Sequence, residues 1–506
     1  MRSPTLVLAT LMAFSALLPA AHSMRPNFVL ILGDDISAAD FGCYGNPGVR
    51  TPQIDRLARE SLRFTRAYVT ATSCSPSRCS ILTSRYPHNL EAAAELHGAL
   101  AAGVPLFPRL LREAGYYTAH AGKAHFGTNA NNGVQRLVGP AEAAFEVGGD
   151  GEPVPGKGGY GGEEQWLQRL RTRPTDRPFF LWLASHDAHR IWDADDFTGR
   201  HAPADVGVPP ELVDTPETRK DLAAYYDEIN RLDHHVGLVV EELRRQGVLE
   251  QTVIIFLSDQ GRPFPRAKTQ VYEAGVATPL IIRLPKTLGQ SGVVDSLVSS
   301  IDLAPTLLEM AGVTRPASFQ GVSLTPLFRD PRATVRDFVF AERNWHNFTT
   351  HIRLVRYGDY AYLRNAYPER WAPGAAETFY NPSADALKAG HAAGTLTPLQ
   401  ADIFQRLRPA EELYDLRLDP HQANNLIDRP EAAGMRARLR RAMDQWQEET
   451  GDSVPENPTP PDTDHATGRK FPNFQRGTPP GASTGALQIN RPGPIRTHDV
   501  RSTPAP

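Results

Sequence analysis

The chain of 506 residues has little cysteine, almost no net charge and few long apolar runs. Its three cysteines, Cys43, Cys74 and Cys79, cannot make a disulfide framework; Cys43 and Cys79 could either pair or remain buried thiols. Lys and Arg total 54 against 57 Asp and Glu, so no basic excess exists to attract nucleic acid or an anionic membrane. Any anionic substrate must therefore be held by a local cluster of cations.

The N-terminal segment is the longest apolar stretch. Arg2 provides a positive start, residues 6–18 carry no charge, and residues 21–23 offer a small-residue cleavage site. The stretch is too short to span a bilayer comfortably, and no later segment approaches the ~20 apolar residues of a membrane span. Residues 1–23 are therefore predicted to be a signal peptide of a periplasmic or secreted protein. An uncleaved or lipid-modified anchor is the alternative, although the usual lipobox cysteine is missing.

Four short apolar runs are typical of strands buried on both faces of a parallel sheet. They span residues 27–32, 116–119, 179–183 and 252–257, and charged or imidazole side chains follow each of them. Because the site of an open α/β sheet lies outside the carboxyl ends of its strands, these side chains should converge. Amphipathic patterns predict helices over residues 51–61, 106–114 and 223–244.

These patterns predict an α/β protein of three parts after the signal peptide. Residues 24–330 are expected to form a catalytic α/β/α sandwich with a large mixed, mostly parallel sheet. Residues 331–450 are expected to form a smaller α+β subdomain, with a small antiparallel sheet and a helix over 431–449. Residues 451–506 are predicted to be a disordered tail, since 11 of the 44 prolines fall in the last 55 residues with little apolar content.

Acidic and amide side chains follow two of the predicted strands. Asp34 and Asp35 come after the first run, and Asp259 and Gln260 come after residues 252–257. Oxygen ligands alone favour calcium or magnesium over zinc, which prefers imidazole and thiolate. The alternative is that the Asp pair only caps a turn or helix.

Residues 74–85 read Cys-Ser-Pro-Ser-Arg-Cys-Ser-Ile-Leu-Thr-Ser-Arg. Pro76 is well placed near a helix start, which would put Cys74 at the positive end of a helix. Arg78, one turn later, could hold both a nucleophile and an anionic substrate oxygen. A structural cysteine at a loop-to-helix junction is the alternative.

Four further side chains complete the predicted cluster: Lys123, His125, His189 and Lys268. Cations together with a divalent metal are the natural complement of a tetrahedral anion with several oxygens. A single Lys or His is usually solvated, so the shared position after strand ends is the argument for this set. Lys268 has the weaker case, because Arg262 and Arg266 lie in the same loop.

Over residues 25–449 the chain resembles the formylglycine-dependent type I sulfatases of the alkaline-phosphatase superfamily. The resemblance lies in Asn27 with the Asp pair, and in residues 51–57, 74–85, 122–125 and 258–261. A closer likeness to the sulfamidase (heparan N-sulfatase) branch lies in residues 186–190, 258–265 and 412–426.

The resemblance implies a mechanism. Cys74 would be oxidised to formylglycine by a formylglycine-generating enzyme; the hydrated aldehyde would attack sulfur, and its second hydroxyl would then expel sulfate. Calcium, or alternatively magnesium, would be held by Asp34, Asp35, residue 74, Asp259 and Gln260. Arg78 and Lys123 would stabilise the oxyanion and His125 would accept a proton. His189 and Lys268 would contact the sulfate and assist the leaving atom.

The sequence departs from the family pattern at three positions. Gln260 stands where the family usually has asparagine or histidine, and its longer side chain could loosen the metal shell. Ser84 replaces the glycine that usually follows the threonine of the signature, and Ala188 replaces a common proline. None of these changes removes a catalytic group.

The favoured substrate is an N-sulfated glucosamine or a glycosaminoglycan fragment that contains it. Asp187 could pair with a sugar amine or hydroxyl, and His346, His351 and Arg353 could line the mouth of the site from the smaller domain. O-sulfated sugars, aryl sulfates and, on the same fold, phosphonate monoesters are the alternatives, as is a non-enzymatic carbohydrate binder. The oligomeric state is open, with a dimer as one option.

Overall fold

A computed structural model describes residues 25–126, 144–148 and 162–496. The predicted signal peptide and the last ten residues lie outside this part of the chain. The described strands are β1 Asn27–Gly33, β2 Leu62–Phe64, β3 Ala67–Tyr68, β4 Tyr117–Gly122, β5 Phe179–Ala184, β6 Thr252–Ser258, β7 Leu280–Arg283, β8 Gly292–Val294, β9 Val298–Ser299, β10 Phe338–Arg343, β11 Ile352–Tyr357, β12 Tyr360–Asn365 and β13 Glu411–Asp415.

Seven strands form one mixed sheet in the order β4-β5-β1-β6-β7-β2-β8. The four predicted strands, β4, β5, β1 and β6, are adjacent and parallel, and Gly33 pairs with Ser258 at the ends of β1 and β6. Alternate residues of β1 pack into two cores: Phe28 and Leu30 on one face, Val29 and Ile31 on the other. The predicted mostly parallel sheet, buried on both faces, is confirmed.

Helices cover both faces of this sheet. The helices of the described residues are α1 Pro52–Arg59, α2 Cys74–Thr83, α3 Phe107–Glu113, α4 Glu164–Thr172, α5 Pro216–Arg245, α6 Glu273–Val276, α7 Leu303–Met310, α8 Thr325–Arg329, α9 Ala376–Phe379, α10 Pro382–Ala393, α11 Pro398–Ala401 and α12 Ala433–Thr450. Side chains of α2, α3 and α7 pack on one face, and those of α1, α4 and α5 on the other. The three helices predicted from amphipathic spacing correspond to α1, α3 and α5.

A second, antiparallel sheet has the order β10-β11-β12-β13. Leu439, Met443 and Trp446 of α12, which corresponds to the helix predicted over residues 431–449, pack against Phe340 and Val355 of this sheet. The sequence analysis missed β13, a short strand at one edge of the sheet.

The C-terminal segment differs from the disordered tail that its composition predicts. Residues 451–496 lie against the rest of the molecule, and Thr459 and Thr463 are buried. The Trp345 indole donates to the Pro460 carbonyl over 2.7 Å, and the ring of Trp345 stacks on Phe474. The segment is therefore held by hydrogen bonds and aromatic stacking against the domains, which require little apolar content in the segment itself.

Two further expectations concern membranes and cysteines. In the part of the chain that the structure describes, no helix combines the length and apolar character required to cross a bilayer. Cys43 and Cys79 are free thiols rather than a pair: Cys79 is fully buried and Cys43 is half-buried.

Candidate active site

The carboxyl ends of β1 and β6 bring the predicted acids together. Because these parallel strands end side by side, Asp34 and Asp35 lie next to Asp259, and the Asp35 backbone N–H donates to Asp259 Oδ1 over 3.2 Å. Gln260 donates from its amide nitrogen to Asp35 Oδ1. All four side chains are fully buried, so the cluster is shielded from solvent.

Cys74 is the first residue of α2 and lies against this cluster. Its Sγ atom is 4.0 Å from Asp35 Oδ1 and 2.8 Å from Gln260 Nε2. Burial raises the pKa of Cys74 to about 12, although Lys123 and Lys268 act to lower it. The unmodified thiol is therefore neutral near pH 7 and a poor nucleophile.

Three buried cations face the three acids. Arg78 Nε donates to Asp259 Oδ2 over 2.8 Å and its Nη2 lies 3.4 Å from Asp34 Oδ1. Lys123 also binds Asp34, and Lys268 Nζ donates to Asp35 Oδ2 over 2.6 Å. Burial opposes ionisation of Asp34, but Lys123 and Arg78 lower its pKa well below the usual range. Burial and the neighbouring Asp34 raise the pKa of Asp259 to about 7, so the acids and cations are balanced in number but Asp259 is only partly ionised near pH 7.

Two imidazoles, one after β4 and one after β5, have defined hydrogen-bond partners. His125 Nε2 lies 2.8 Å from His97 Nδ1, whereas His125 Nδ1 is buried and has no hydrogen-bond partner among the described residues. Burial, with Lys123 and His97 nearby, lowers the pKa of His125 well below its usual range, so the ring is neutral. His189 Nδ1 lies 2.5 Å from the Arg190 carbonyl, which leaves its Nε2 directed at the cluster.

Glu377, from the short helix α9, is a member of the site that the sequence analysis missed. Its Oε1 atom lies 2.8 Å from Lys268 Nζ and 4.0 Å from His189 Nε2. His346, which the sequence predicted for the mouth, lies 3.8 Å from the same oxygen and 2.8 Å from Ser73 Oγ. Neither Glu377 nor His97, the partner of His125, stands in a recognisable motif, so no sequence signal identified them.

Asp187 does not face the site, which corrects its predicted role as a substrate-binding residue. The side chain is 1% exposed and forms a two-pronged ion pair with Arg231 of α5 at 2.6 and 2.8 Å. The acid after β5 is thus satisfied by a cation from the helix that covers the sheet, which leaves no free acceptor for a sugar.

His351 and Arg353 also lie elsewhere, contrary to prediction. Both are buried beneath the C-terminal segment, where Arg353 forms a two-pronged ion pair with Asp452 and bonds His351 Nε2 over 2.8 Å. They stand two residues apart, His351 just before β11 and Arg353 within it, and share this environment. Among the substrate-binding candidates, His346 places its side chain beside Glu377, whereas Asp187 contacts Asp34 through its backbone carbonyl.

The donor set fits a hard divalent cation. Oxygen or sulfur atoms of Asp34, Asp35 and Cys74 lie within 4.8 Å of one another. The Oε1 atom of Gln260 is buried beside them and has no hydrogen-bond partner among the described residues. An orphaned buried oxygen next to carboxylates is what a site for calcium or magnesium provides.

Ser84 shows why this position usually holds glycine in the pattern noted above. It is the C-cap of α2, with φ of 52° and ψ of 39°, a left-handed conformation that a side chain disfavours by roughly 1 kcal/mol. Here Ser84 Oγ donates to the Ile301 carbonyl over 2.7 Å and accepts from the Gly321 backbone N–H. These two hydrogen bonds offset the backbone strain of a left-handed C-cap that is not glycine.

Comparisons with known proteins agree with this geometry. A family model described as Sulfatase matches residues 26–313, and one described as N-sulphoglucosamine sulphohydrolase, C-terminal, matches residues 266–371. N-sulphoglucosamine sulphohydrolase of Homo sapiens is 32% identical over 469 residues, an alignment that covers 85% of this chain and 91% of that protein.

Two solved structures share the fold. One is a protein in complex with its substrate D-glucosamine-2-N,6-O-disulfate, with a TM-score of 0.61, 19% identity and coverage of 84% of this chain and 98% of that chain. The other is a phosphonate monoester hydrolase from Silicibacter pomeroyi, with a TM-score of 0.64, 19% identity and coverage of 89% and 100%. At these identities the likeness concerns the fold alone.

Proposed function

Because the chain belongs to the sulfatase family and is a hydrolase of sulfuric esters or sulfamates, we propose that its substrate is an N-sulfated glucosamine, free or at the end of a glycosaminoglycan fragment. The observation that supports this choice is the match to the N-sulphoglucosamine sulphohydrolase C-terminal model. The matched residues include the Lys268 ammonium group and the His346 imidazole, which lie beside Cys74 and Glu377.

The nucleophile in this proposal derives from Cys74, converted by a formylglycine-generating enzyme. Formylglycine supplies a hydrated aldehyde, with one hydroxyl to attack sulfur and a second to release sulfate. The position of Cys74 at the N-terminus of α2 places developing negative charge at the positive end of a helix. The neutral thiol of the unconverted residue agrees with a need for this modification.

Asp34, Asp35, Asp259 and Gln260 would hold a calcium ion, with magnesium as the alternative. When bound, the ion would polarise the sulfuryl group and neutralise charge. Arg78 and Lys123 orient Asp34 and Asp259 through their ion pairs, so the chain's own cations hold these carboxylates in place.

Proton transfers would use ring nitrogens that have no other bond. His125 Nε2 lies 2.8 Å from His97 Nδ1, and in the tautomer of His125 that carries its proton on Nε2, the lone pair of Nδ1 would accept a proton from the nucleophile. His189 Nε2, beside Asp35, would handle the proton of the leaving atom, while Lys268 Nζ would hold a sulfuryl oxygen. His346, 3.8 Å from Glu377 Oε1, would contact the sugar.

A phosphonate monoester hydrolase, an O-sulfated-sugar hydrolase and an aryl sulfatase are the alternative activities. The first shares the fold, as the Silicibacter pomeroyi structure illustrates. We further propose that residues 1–23 direct export, so that the enzyme acts in the periplasm or outside the cell.

The test is sulfate release by the mature protein with calcium present, on N-sulfoglucosamine, 6-O-sulfated N-acetylglucosamine and an aryl sulfate. Formylglycine at position 74 is verified by mass. We expect preference for the N-sulfated sugar. Preference for either ester keeps the mechanism and rejects the substrate, and no release from any of the three rejects the proposed function in favour of phosphonate hydrolysis or binding alone.

Cys74→Ala provides the blank and Cys74→Ser the mechanistic control. Both variants should retain the fold, checked by circular dichroism, and lose turnover by about 1,000-fold or more. Cys74→Ser should be nearly inactive because serine lacks the second hydroxyl that expels sulfate. Wild-type rates in Cys74→Ala would contradict the nucleophile assignment.

A further inference from the structure

Glu377 adds a fourth carboxylate to a cluster that already has as many cations as acids. The three acids Asp34, Asp35 and Asp259 are matched by Arg78, Lys123 and Lys268. Lys268 Nζ is shared, at 2.6 Å from Asp35 Oδ2 and 2.8 Å from Glu377 Oε1. Glu377 is therefore a fourth carboxylate that shares its cation, Lys268, with Asp35 and has no other Lys or Arg partner among the described residues.

The shared carboxylate lies on the open side of the site. The Glu377 side chain is 28% exposed and that of His189 is 34% exposed, whereas the acids at the strand ends are fully buried. Glu377 Oε1 stands 4.0 Å from His189 Nε2 and 3.8 Å from His346 Nε2, too far for direct hydrogen bonds. Burial opposes ionisation, but Lys268 and His346 lower the pKa of Glu377, so the carboxylate is charged at working pH.

We propose that Glu377 is a specificity-determining residue that selects a nitrogen-linked over an oxygen-linked sulfuryl group. The proposal rests on the sulfatase function proposed above. A sulfamate nitrogen bears a hydrogen that a carboxylate can accept, whereas the bridging oxygen of a sulfate ester bears only lone pairs that a carboxylate repels. The acceptor sits beside His189, the residue that handles the leaving atom.

The same carboxylate matches the product. When the S–N bond breaks, its electron pair stays on nitrogen, which takes one proton and leaves as an amine, while sulfur gains the bond to the attacking oxygen. The amine then takes a second proton from water and becomes an ammonium ion. An ester would leave a neutral alcohol instead. Glu377 can form a charge-assisted hydrogen bond with the ammonium ion and none of comparable strength with the alcohol.

The kinetic test compares Glu377→Gln with wild type on N-sulfoglucosamine and on an aryl sulfate. Loss of a charge-assisted hydrogen bond should lower kcat/KM for the sulfamate by about 10- to 100-fold. The ratio of sulfamate to ester kcat/KM should fall at least about tenfold. Glu369→Gln, an exposed carboxylate of the same subdomain, serves as the matched control and should keep the ratio. Equal losses on both substrates would reduce Glu377 to a positioning residue for Lys268 and overturn the proposal.

A binding test does not depend on turnover. In the Cys74→Ala background, calorimetry measures the Kd values of glucosamine and of N-acetylglucosamine, which has no ammonium group. We expect glucosamine to bind more tightly, and we expect Glu377→Gln to remove most of that preference. No preference in the Cys74→Ala protein would overturn the role of Glu377. An amine preference in a protein that releases sulfate from no substrate would reject the proposed function and keep this site.

Discussion

At the scale of single residues, the departure at Gln260 affects the metal site most directly. Its amide nitrogen faces Asp35 and Cys74, and its oxygen is left without a partner among the described residues. The longer side chain thus still reaches the acids at the ends of β1 and β6. We infer that the position tolerates glutamine because the donor atom, rather than the length of the side chain, is what a cation requires.

Asp259→Asn should weaken calcium binding by about tenfold or more, because it removes one of three carboxylate charges and the 2.8 Å ion pair with Arg78. Calorimetry on the protein stripped with a chelator measures the affinity directly. Asp40→Asn is the matched control, since Asp40 is equally buried but is paired with Arg262. Equal affinity in Asp259→Asn and wild type would show that the ligand set is wrong.

At the scale of elements, the C-terminal segment shows how a proline-rich stretch can be ordered. Prolines reduce the conformational entropy that the unfolded segment has to lose, so fewer contacts suffice to hold it. Asn89 Nδ2 donates to the carbonyls of Thr450 and Ala486, both at 2.7 Å, and Thr459 Oγ1 donates to Glu95 Oε2 over 2.7 Å. The segment is thus held through its backbone carbonyls, as at Ala486, and through side chains of its own, as at Thr459 and Phe474.

Glu95, which lies under this segment, gives a prediction about pH. Burial raises its pKa to about 6 from 4.5, and Thr459 and Arg476 only partly oppose this. A raised folded pKa means that the associated stability is present below about pH 4.5 and is lost as the pH rises through about 6. Wild type should therefore lose about 2 kcal/mol relative to Glu95→Gln over this range.

Urea unfolding of the two proteins at about pH 4 and about pH 7 measures this difference, because all other titrating groups are shared. Glu95→Gln keeps an acceptor for Thr459, so the hydrogen bond is preserved. A difference in the free energy of unfolding that does not change with pH would mean that Arg476 holds Glu95 ionised.

At the scale of the whole molecule, the two sheets share a core. Tyr68 and Val276, before residue 330, pack in one cluster with Val339 and Leu354 of the second sheet. The Glu342 backbone N–H donates to the Thr70 carbonyl over 2.8 Å, which joins β10 to the segment that leads into α2. The division of the chain near residue 330 stays a prediction from the sequence. Because residues on both sides of this position share a core, we infer that the two parts fold together.

A fragment of residues 24–330 should consequently fail to form a stable monomer. Exposing each large apolar side chain of the shared core costs about 1.5–3 kcal/mol, and several together approach the roughly 5–15 kcal/mol stability of a typical protein. Size-exclusion chromatography and near-ultraviolet circular dichroism, with residues 24–506 as the control, provide the test. A monomeric fragment with cooperative unfolding would show that the first part is independent.

The sequence by itself determined the strands of the main sheet and the residues that directly follow them. A strand buried on both faces of a parallel sheet appears in the sequence as an apolar run, and the residues that follow it lie at one edge of the sheet. The positions of Asp34, Asp35 and Asp259, and the helix that begins at Cys74, could therefore be predicted from residues only a few positions away. The resemblance to sulfatases, which depends on the same local segments, is confirmed by the family match.

Only the tertiary structure decided which partner each charge has. Asp187 follows a strand as Asp35 does, but it forms an ion pair with Arg231 of α5 instead of facing the site. Arg353 likewise forms an ion pair with Asp452 of the C-terminal segment. Glu377 reaches Lys268 from more than 100 positions away in the chain, with no pattern around it. The spacing of residues along the chain indicates burial and secondary structure, whereas ion pairs depend on long-range packing. This is why the contacts of Glu377, His189 and His346 could not be predicted from the sequence.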